Sequence, residues 1–521
     1  MKSLNLICLV LMPLMSFAQA GVLDQTFSGD GKLISAVGSG DDQAYGVACQ
    51  SNGKIVVVGT SENNSNTDFA IVRYNVDGSL DNSFSGDGKL QLDIAGGNDE
   101  ARAVVVLSNG MLLISGFASV GSTIDFAAVL LSSDGKLVNA FSGDGKATVD
   151  FSGTDDYCYS MVVYNDKIYL AGSSIANSQE EFAVAILQMN GMLDVAFDGD
   201  GKTTINIGAG PDYGRAIAIQ ADGKVVLAGY TGSDFNNDFA TVRLLADGKP
   251  DPAFSQDGKV ITDIGPNWER AFSIAVQQDQ KIVVSGFTFN NTGDDFALVR
   301  FLPDGSLDKS FSMDGIVVQA IGTRFDEGYA MILQADGKIL VTGEAAQPSS
   351  DADFGLARFT DAGILDKTFS GDGSIITPMG SLMSEDVAYA IAIQPDGKIV
   401  IAGEAENGTN LDFAVARYTS GLVINTEQSV SILEEARIFP NPVLDYFLLD
   451  FKLNEDKRLC IDLVDSGGKK LQSFFTNYQF TPGAHKLSCK LTPDLTNGKY
   501  YVLISSENQR QILEFVKLNK N

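Results

Sequence analysis

Hydrophobic and polar positions alternate along this chain in short runs that return, in the same order, about every 57 residues. In the first copy the apolar runs are Lys32–Val37, Tyr45–Gln50, Lys54–Thr60 and Phe69–Asn75. They are rich in Val, Ile, Tyr, Phe or Ala and bounded by turn residues, which predicts four strands. Runs two and three are joined by Ser51-Asn52-Gly53, in later copies Ala221-Asp222-Gly223 or Pro395-Asp396-Gly397. Asn-Gly and Asp-Gly supply the positive φ that a tight hairpin needs. A second such turn, Val76-Asp77-Gly78, follows run four. The four strands therefore form an antiparallel meander.

Two phenylalanine series mark seven copies. One opens a Phe-Ser-Gly-Asp-Gly-Lys turn or a variant of it, at Phe27, Phe84, Phe141, Phe197, Phe254, Phe311 and Phe369. The other lies in Asp-Phe-Ala or a variant, at Phe69, Phe126, Phe182, Phe239, Phe296, Phe354 and Phe413. A long fixed period means one supersecondary unit burying its face against its neighbours. Seven four-stranded antiparallel units predict an all-β, seven-bladed β-propeller. A parallel β-helix lacks hairpins and has shorter coils. An open stack needs atypical capping repeats at its ends, and none is seen. Run two alternates small residues, such as Gly46 and Ala48 or Ala390 and Ala392, so it is placed innermost, where seven strands converge. Each blade then takes its outer strand from the next repeat, and Lys32–Val37 completes the last blade.

The net charge is −29, which argues against nucleic acid and anionic lipid, since phosphate binding needs clustered Lys and Arg. Cations, neutral glycans or basic proteins remain compatible partners. Residues 1–20 read as an export signal: Lys2, an apolar stretch from Leu4 to Met15 too short to span a bilayer, and Ala18-Gln19-Ala20 before the cut. No later stretch is long enough for a transmembrane segment. Cys49 and Cys158 are expected as buried small apolar residues. Cys460 and Cys489 share a C-terminal module, and sequence leaves a disulfide between them open.

Three acidic series recur in all seven copies and account for 21 of the 66 acidic residues, so the negative charge is partly built into the repeat. Asp30, Asp87, Asp144, Asp200, Asp257, Asp314 and Asp372 lie in Asp-Gly turns, where Asp bonds its own backbone. Calcium is the alternative reading there, although no copy carries the full EF-hand set. No other cofactor is expected. Asp68, Asp125, Glu181, Asp238, Asp295, Asp353 and Asp412 precede the second Phe series. The third series is Asp42, Asp99, Asp156, Asp212, Glu269, Asp326 and Asp386. Three residues beyond each comes Tyr45, Arg102, Tyr159, Arg215, Phe272, Tyr329 or Tyr389. If run two lines the axis, these fourteen residues ring one channel mouth and are the candidate ligand site. The plainer alternative makes the acids strand caps and the rings packing.

No catalytic residue is assigned and no metal ligand set is found. The one histidine, His485, lies outside the repeats, so no Ser-His-Asp set can be built in the ring. A carboxylate pair suits glycoside chemistry, but no pair stands out. Trp268, the sole tryptophan, breaks the repeat on a loop.

The repeat ends near residue 422. Residues 423–436 read as a linker, and 437–521 as a small β-sandwich of six or seven strands. This last module carries Pro440-Asn441-Pro442, Val464-Asp465-x-Gly-Gly-Lys469 and Leu495-x-x-Gly498-x-Tyr500-Tyr501. It resembles the type A C-terminal sorting domain of the type IX secretion system. The resemblance implies handling by that machinery, and release from or attachment to the outer surface of a Gram-negative bacterium. Residues 22–420 carry Phe-x-x-Asp-Gly and Gln-x-Asp-Gly-Lys-(Ile/Val)-x-x-x-Gly, as at Gln220–Gly229 and Gln394–Gly403. They resemble the delta-60 repeat family, which implies a propeller and brings no catalytic residue. The expected function is non-catalytic binding or adhesion toward an extracellular glycan or protein. The alternatives are a carbohydrate-active or other hydrolytic propeller, and a purely structural surface component.

Overall fold

The computed structural model describes residues 19–63, 66–176, 178–233, 236–290, 293–347, 351–380, 385–420, 434–439, 443–464, 470–492, 495, 498–506 and 510–517. The expected export signal lies outside them but for its last two residues, as do Pro440-Asn441-Pro442, residues 465–469 and most of the expected linker. The described residues form strands and no helix. The chain divides into two units, Met1–Val423 and Ile424–Asn521.

In the first blade Asp42–Cys49 lies innermost, followed by Ile55–Glu62, Thr67–Tyr74 and, from the next repeat, Lys89–Leu92. Six more antiparallel sheets repeat this order. In the seventh, Val387–Ile393, Ile399–Glu406 and Leu411–Tyr418 are completed by Lys32–Ser35, with Lys32 opposite Ala416 and Ser35 opposite Phe413. The ring is thus closed by pairing its two ends, as the phasing of the runs predicts. Asp42–Cys49 packs against both Asp99–Val106 and Val387–Ile393, which makes it innermost. Crowding there explains its small residues: a Cβ on Gly214 would lie 2.1 Å from the Gly172 carbonyl oxygen of the preceding blade. One boundary differs from the sequence reading. The innermost strand starts three residues earlier, at the acid itself, because the acid's carboxylate ties down the loop before it.

The core sits between blades. Val56, Val58, Phe69 and Ile71 of the first blade meet Leu112, Ile114 and Val129 of the second, with Phe84 in the same cluster. All fourteen phenylalanines of the two series are buried. Burial of each contributes roughly 1.5–3 kcal/mol.

A buried ion pair recurs beside these rings, which the sequence reading missed. Arg73, Arg243, Arg300, Arg358 and Arg417 each set Nε on an aspartate, respectively Asp81, Asp251, Asp308, Asp366 and Asp24. Each guanidinium also lies 4.5–4.9 Å from the centroid of a turn-series Phe. Each reaches a backbone carbonyl across the junction, as Arg358 does to Ser420 at 2.9 Å. In the second blade Leu130 and Val138 replace both partners of the pair. In the third, Ile186 replaces the Arg and Lys167 pairs with Asp194 instead.

The C-terminal unit has two sheets. One orders Glu434–Phe439, Tyr446–Leu453 and Gly483–Lys490; the other orders Lys470–Phe480, Lys457–Val464, Gly498–Ser505 and Arg510–Lys517. Phe447, Leu449 and Phe451 from the first share one core with Leu459, Ile461 and Leu463 from the second. Cys460 and Cys489 are both free thiols. His485 stacks on Phe451, with ring centroids 5.0 Å apart.

Candidate functional site: an axial ring of bulged side chains

Every innermost strand carries a β-bulge at the same place. Pairing with the second strand skips one residue between Ala44 and Gly46, Ala101 and Ala103, and Cys158 and Ser160. It skips likewise between Gly214 and Ala216, Ala271 and Ser273, Gly328 and Ala330, and Ala388 and Ala390. The skipped residues are Tyr45, Arg102, Tyr159, Arg215, Phe272, Tyr329 and Tyr389. A bulge leaves its extra residue outside the ladder and re-aims its side chain. Here it gathers all seven into one closed circuit.

The Arg102 guanidinium lies 3.7 Å over the Tyr45 ring and 5.6 Å from the Tyr159 ring. Arg215 lies 4.0 Å over Tyr159 and 5.8 Å from Phe272. Phe272 meets Tyr329 at 5.2 Å, Tyr329 meets Tyr389 at 5.2 Å, and Tyr389 returns to Tyr45 at 5.1 Å. Cation–π contact, one edge-to-face pair (Phe272 and Tyr329) and two tilted aromatic pairs link every neighbour in the circuit.

The acids of the third series do not join it. Asp42, Asp99, Asp156, Asp212, Glu269, Asp326 and Asp386 are all essentially inaccessible. Each accepts amide bonds from the loop before its strand. Val37 N–H donates to Asp42 at 2.6 Å, Ile321 N–H to Asp326 at 2.7 Å, and Met379 N–H to Asp386 at 2.8 Å. Ile94, Phe151, Ile207 and Ile264 do the same for Asp99, Asp156, Asp212 and Glu269. The fourteen candidate residues therefore split: seven cap the strand starts and seven meet on the axis.

The turn-series aspartates bond their own backbones. Lys32 N–H donates to Asp30 at 2.9 Å, and the other six copies repeat this two residues on. Denser acid clusters occur at three blade junctions: Asp68, Asp93 and Asp99; Asp125, Asp150 and Asp156; and Asp238, Asp263 and Glu269, each with ligand atoms within 4.8 Å. Burial, reinforced by the neighbouring charges, pushes Asp99 and Asp156 up to about 6 and Glu269 to about 8.

Beside the ring the sevenfold symmetry fails. The residue after the second-strand glycine is Thr60, Phe117, Ser173, Tyr230 or Phe287 in five blades, but Glu344 and Glu404 in the sixth and seventh. Glu344 stands directly opposite Glu327 in the ladder. The Tyr329 hydroxyl donates to Glu327 at 2.7 Å and lies 3.2 Å from Glu344 Oε1. The Tyr389 hydroxyl reaches Glu404 at 3.4 Å. Burial pushes Glu327 and Glu404 up to about 7. Burial together with the Glu327 charge takes Glu344 to about 8. The same desolvation holds the phenols of Tyr329 and Tyr389 well above their ordinary range, so they stay hydrogen-bond donors. Arg102, Arg215 and Arg270 each keep a buried Nε–H with no hydrogen-bond partner. A glutamate inside an otherwise apolar run, as in Ile339–Glu344, was the available signal for this cluster. Trp268 stacks on Phe289 at 4.3 Å, and its side chain also bonds to Asp294.

Residues 50–84, 220–254, 277–311, 334–369 and 394–426 match the family described as a β-propeller domain of unknown function, DUF5122. The repeats belong to the DUF5122 β-propeller family. The second and third blades are unmatched, and these are the two in which Leu130 and Ile186 replace the buried arginine. Residues 437–517 match the secretion system C-terminal sorting domain. The chain is thus an exported DUF5122 propeller carrying a type IX sorting tail, delivered to or beyond the cell surface. Among the described residues no helix is long and apolar enough to cross a membrane. No curated protein matches the chain. Solved structures similar to it include Sqt1 from Chaetomium thermophilum, at 11% identity and TM-score 0.35, covering 72% of this chain and 84% of that one. Polysaccharide lyase Uly1 is 11% identical at TM-score 0.32, covering 77% and 93%. A Bombyx mori GH32 β-fructofuranosidase is 12% identical at TM-score 0.25, covering 70% and 87%. None of these distant likenesses locates a site on the DUF5122 propeller.

Proposed function

We propose that this exported propeller is a non-catalytic surface-binding protein that takes a glycan at the axial ring. The observation that supports it is the loss of sevenfold symmetry beside the ring, where only the sixth and seventh blades place carboxyls, Glu344 and Glu404, against tyrosines. At neutral pH Glu344, raised to about 8, is mostly protonated, while Glu327 and Glu404, raised to about 7, are about half protonated. Protonated carboxyls then act as donors beside the tyrosine rings. A donor-rich patch beside aromatic edges suits sugar hydroxyls and ring oxygens. A glycan array probed with the full exported chain tests this. Glu344→Gln, which copies the protonated carboxyl, should keep the bound glycan, while Glu344→Ala and Tyr389→Ala should lose it. Retention by both alanine variants would defeat the reading.

A catalytic reading has one observation in its favour. Glu327 and Glu344 face each other with the Tyr329 hydroxyl between them, and both have pKa values suited to proton transfer near neutrality. Turnover of a polysaccharide that Glu327→Gln abolishes while binding persists would favour it over simple binding.

A further inference from the structure

The seventh blade completes its turn with residues from the other end of the chain. In the first six blades the amide after a turn-series Phe donates to a carbonyl in the turn that follows the third strand. Ser28 N–H reaches the Asp77 carbonyl at 2.8 Å, Ser85 N–H that of Asp134 at 3.0 Å and Ser312 N–H that of Ala362 at 2.9 Å. The next residue is a glycine at positive φ, such as Gly78 at 89°. Its N–H closes the turn on the carbonyl three residues back, Gly78 on Asn75 at 3.0 Å.

In the seventh blade residues ahead of the first repeat make the same bonds. Ser370 N–H donates to the Ala20 carbonyl, and Gly21 N–H to the Thr419 carbonyl, both at 2.8 Å. Gly21 has φ 76°, and a Cβ on it would lie 2.9 Å from the Ser370 nitrogen. Thr419 N–H donates back to the Val22 carbonyl at 2.9 Å. Arg358 reaches the Ser420 carbonyl as Arg417 reaches that of Val76. Ser420 thus stands where Val76 does, and Ala20 where Asp77 does, so one turn is assembled from two chain ends. Ala20 is 6% exposed and shares a core cluster with Phe369 and Tyr418. Gly21 is buried too. Gln19 is exposed, and its carbonyl accepts the Thr419 hydroxyl at 2.6 Å.

These contacts bear on where the export signal is cut. The sequence pattern places the cut after Ala20. That product loses a buried methyl and the acceptor of Ser370 N–H. It also puts the new ammonium on buried Gly21, and a buried charge is costly. A cut two residues earlier avoids both losses. Ser16-Phe17-Ala18 likewise sets small residues one and three before a bond. Cleavage there keeps the whole turn and leaves the ammonium on exposed Gln19. We infer that the export signal is removed between Ala18 and Gln19, so that the mature propeller begins at Gln19. This rests on the export-signal reading and is independent of the axial ring.

The test is mass spectrometry of the exported propeller, recovered from the medium or the outer surface of the cells that make it. Its N-terminal peptide should begin at Gln19. A terminal glutamine loses ammonia when its α-nitrogen displaces the side-chain amide nitrogen at Cδ, so that lighter form supports the inference equally. A peptide beginning at Gly21, at Met1 or at any other residue would overturn it. Calorimetry of chains spanning residues 19–521 and 21–521 tests the physical cause. The shorter chain should melt lower by about 2 °C or more. Equal melting temperatures would show that Ala20 adds nothing to the fold and would overturn burial as the cause.

Discussion

At the scale of single residues, the buried Arg–Asp pairs show how the same space can be filled in two ways. Removing one partner leaves a charge buried and uncompensated, which costs about 3–5 kcal/mol, whereas replacing both by apolar residues is often neutral. The protein has carried out that exchange itself at Leu130 and Val138 in the second blade. Arg300→Leu, at a residue 2% exposed, leaves Asp308 with Lys281 alone, 3.3 Å away, as in the third blade, and should destabilise the propeller by less than the full loss, about 1–3 kcal/mol in denaturant unfolding. Adding Asp308→Val should recover most of that loss. A double variant no more stable than Arg300→Leu would show that the contact with Phe311 and the carbonyl bond across the junction dominate instead. The same logic explains why neither member of the pair announced itself in sequence. Each is one of many Arg and Asp residues, and only the fold brings together positions eight apart or, for Arg417 and Asp24, at opposite ends of the repeat array.

Among elements, the strand that closes the ring has the most leverage. Lys32–Ser35 is short and exposes part of every residue, yet it joins the first and last repeats. The segment before it supplies Asp24 to Arg417 and buries Phe27 in the seventh junction. A chain starting at Asp41 should lose cooperative unfolding, with the seventh blade melting before the others in calorimetry. An unchanged single transition would mean that blade-to-blade packing alone holds the ring. The bulges belong to this scale too. The alternation of run two indicated an innermost strand, but strict alternation does not say which residue escapes the ladder. Seven convergent strands decided that, since only a residue released from pairing reaches the axis.

For the whole molecule, stability should depend on pH from both sides. Glu327, Glu344 and Glu404 have folded-state pKa values of about 7 to 8, above the unfolded value of about 4.3. The folded state then binds more protons than the unfolded one. Their contribution is complete below about pH 4 and is lost as pH rises through about 7 to 8. Asp308 runs the other way. Burial opposes it, but bonds from Ser310 and the Arg300 charge hold it at about 2. Its contribution is present above the unfolded value of about 3.9 and is lost as pH falls toward 2. Melting temperature should therefore fall between pH 5 and pH 9, and Glu344→Gln should flatten that fall. A profile equally steep in the variant would remove the axial carboxyls as its cause. Self-repulsion at a net charge of −29 adds to the alkaline loss and should weaken with salt.

Period, turn chemistry and alternation are local properties of the chain, and they sufficed for the blades, their number, their phasing and the closing strand. The Phe series and the Asp-Gly turns kept their expected roles because each depends on residues near it in sequence. What the axis contains was settled only in three dimensions. Tyr45 and Tyr389 lie at opposite ends of the repeat array yet meet at 5.1 Å, and their companion acids turned back to loop amides. Whether a carboxyl is a cap or a member of a proton-sharing cluster depends on what burial surrounds it, and that is fixed by closing the ring.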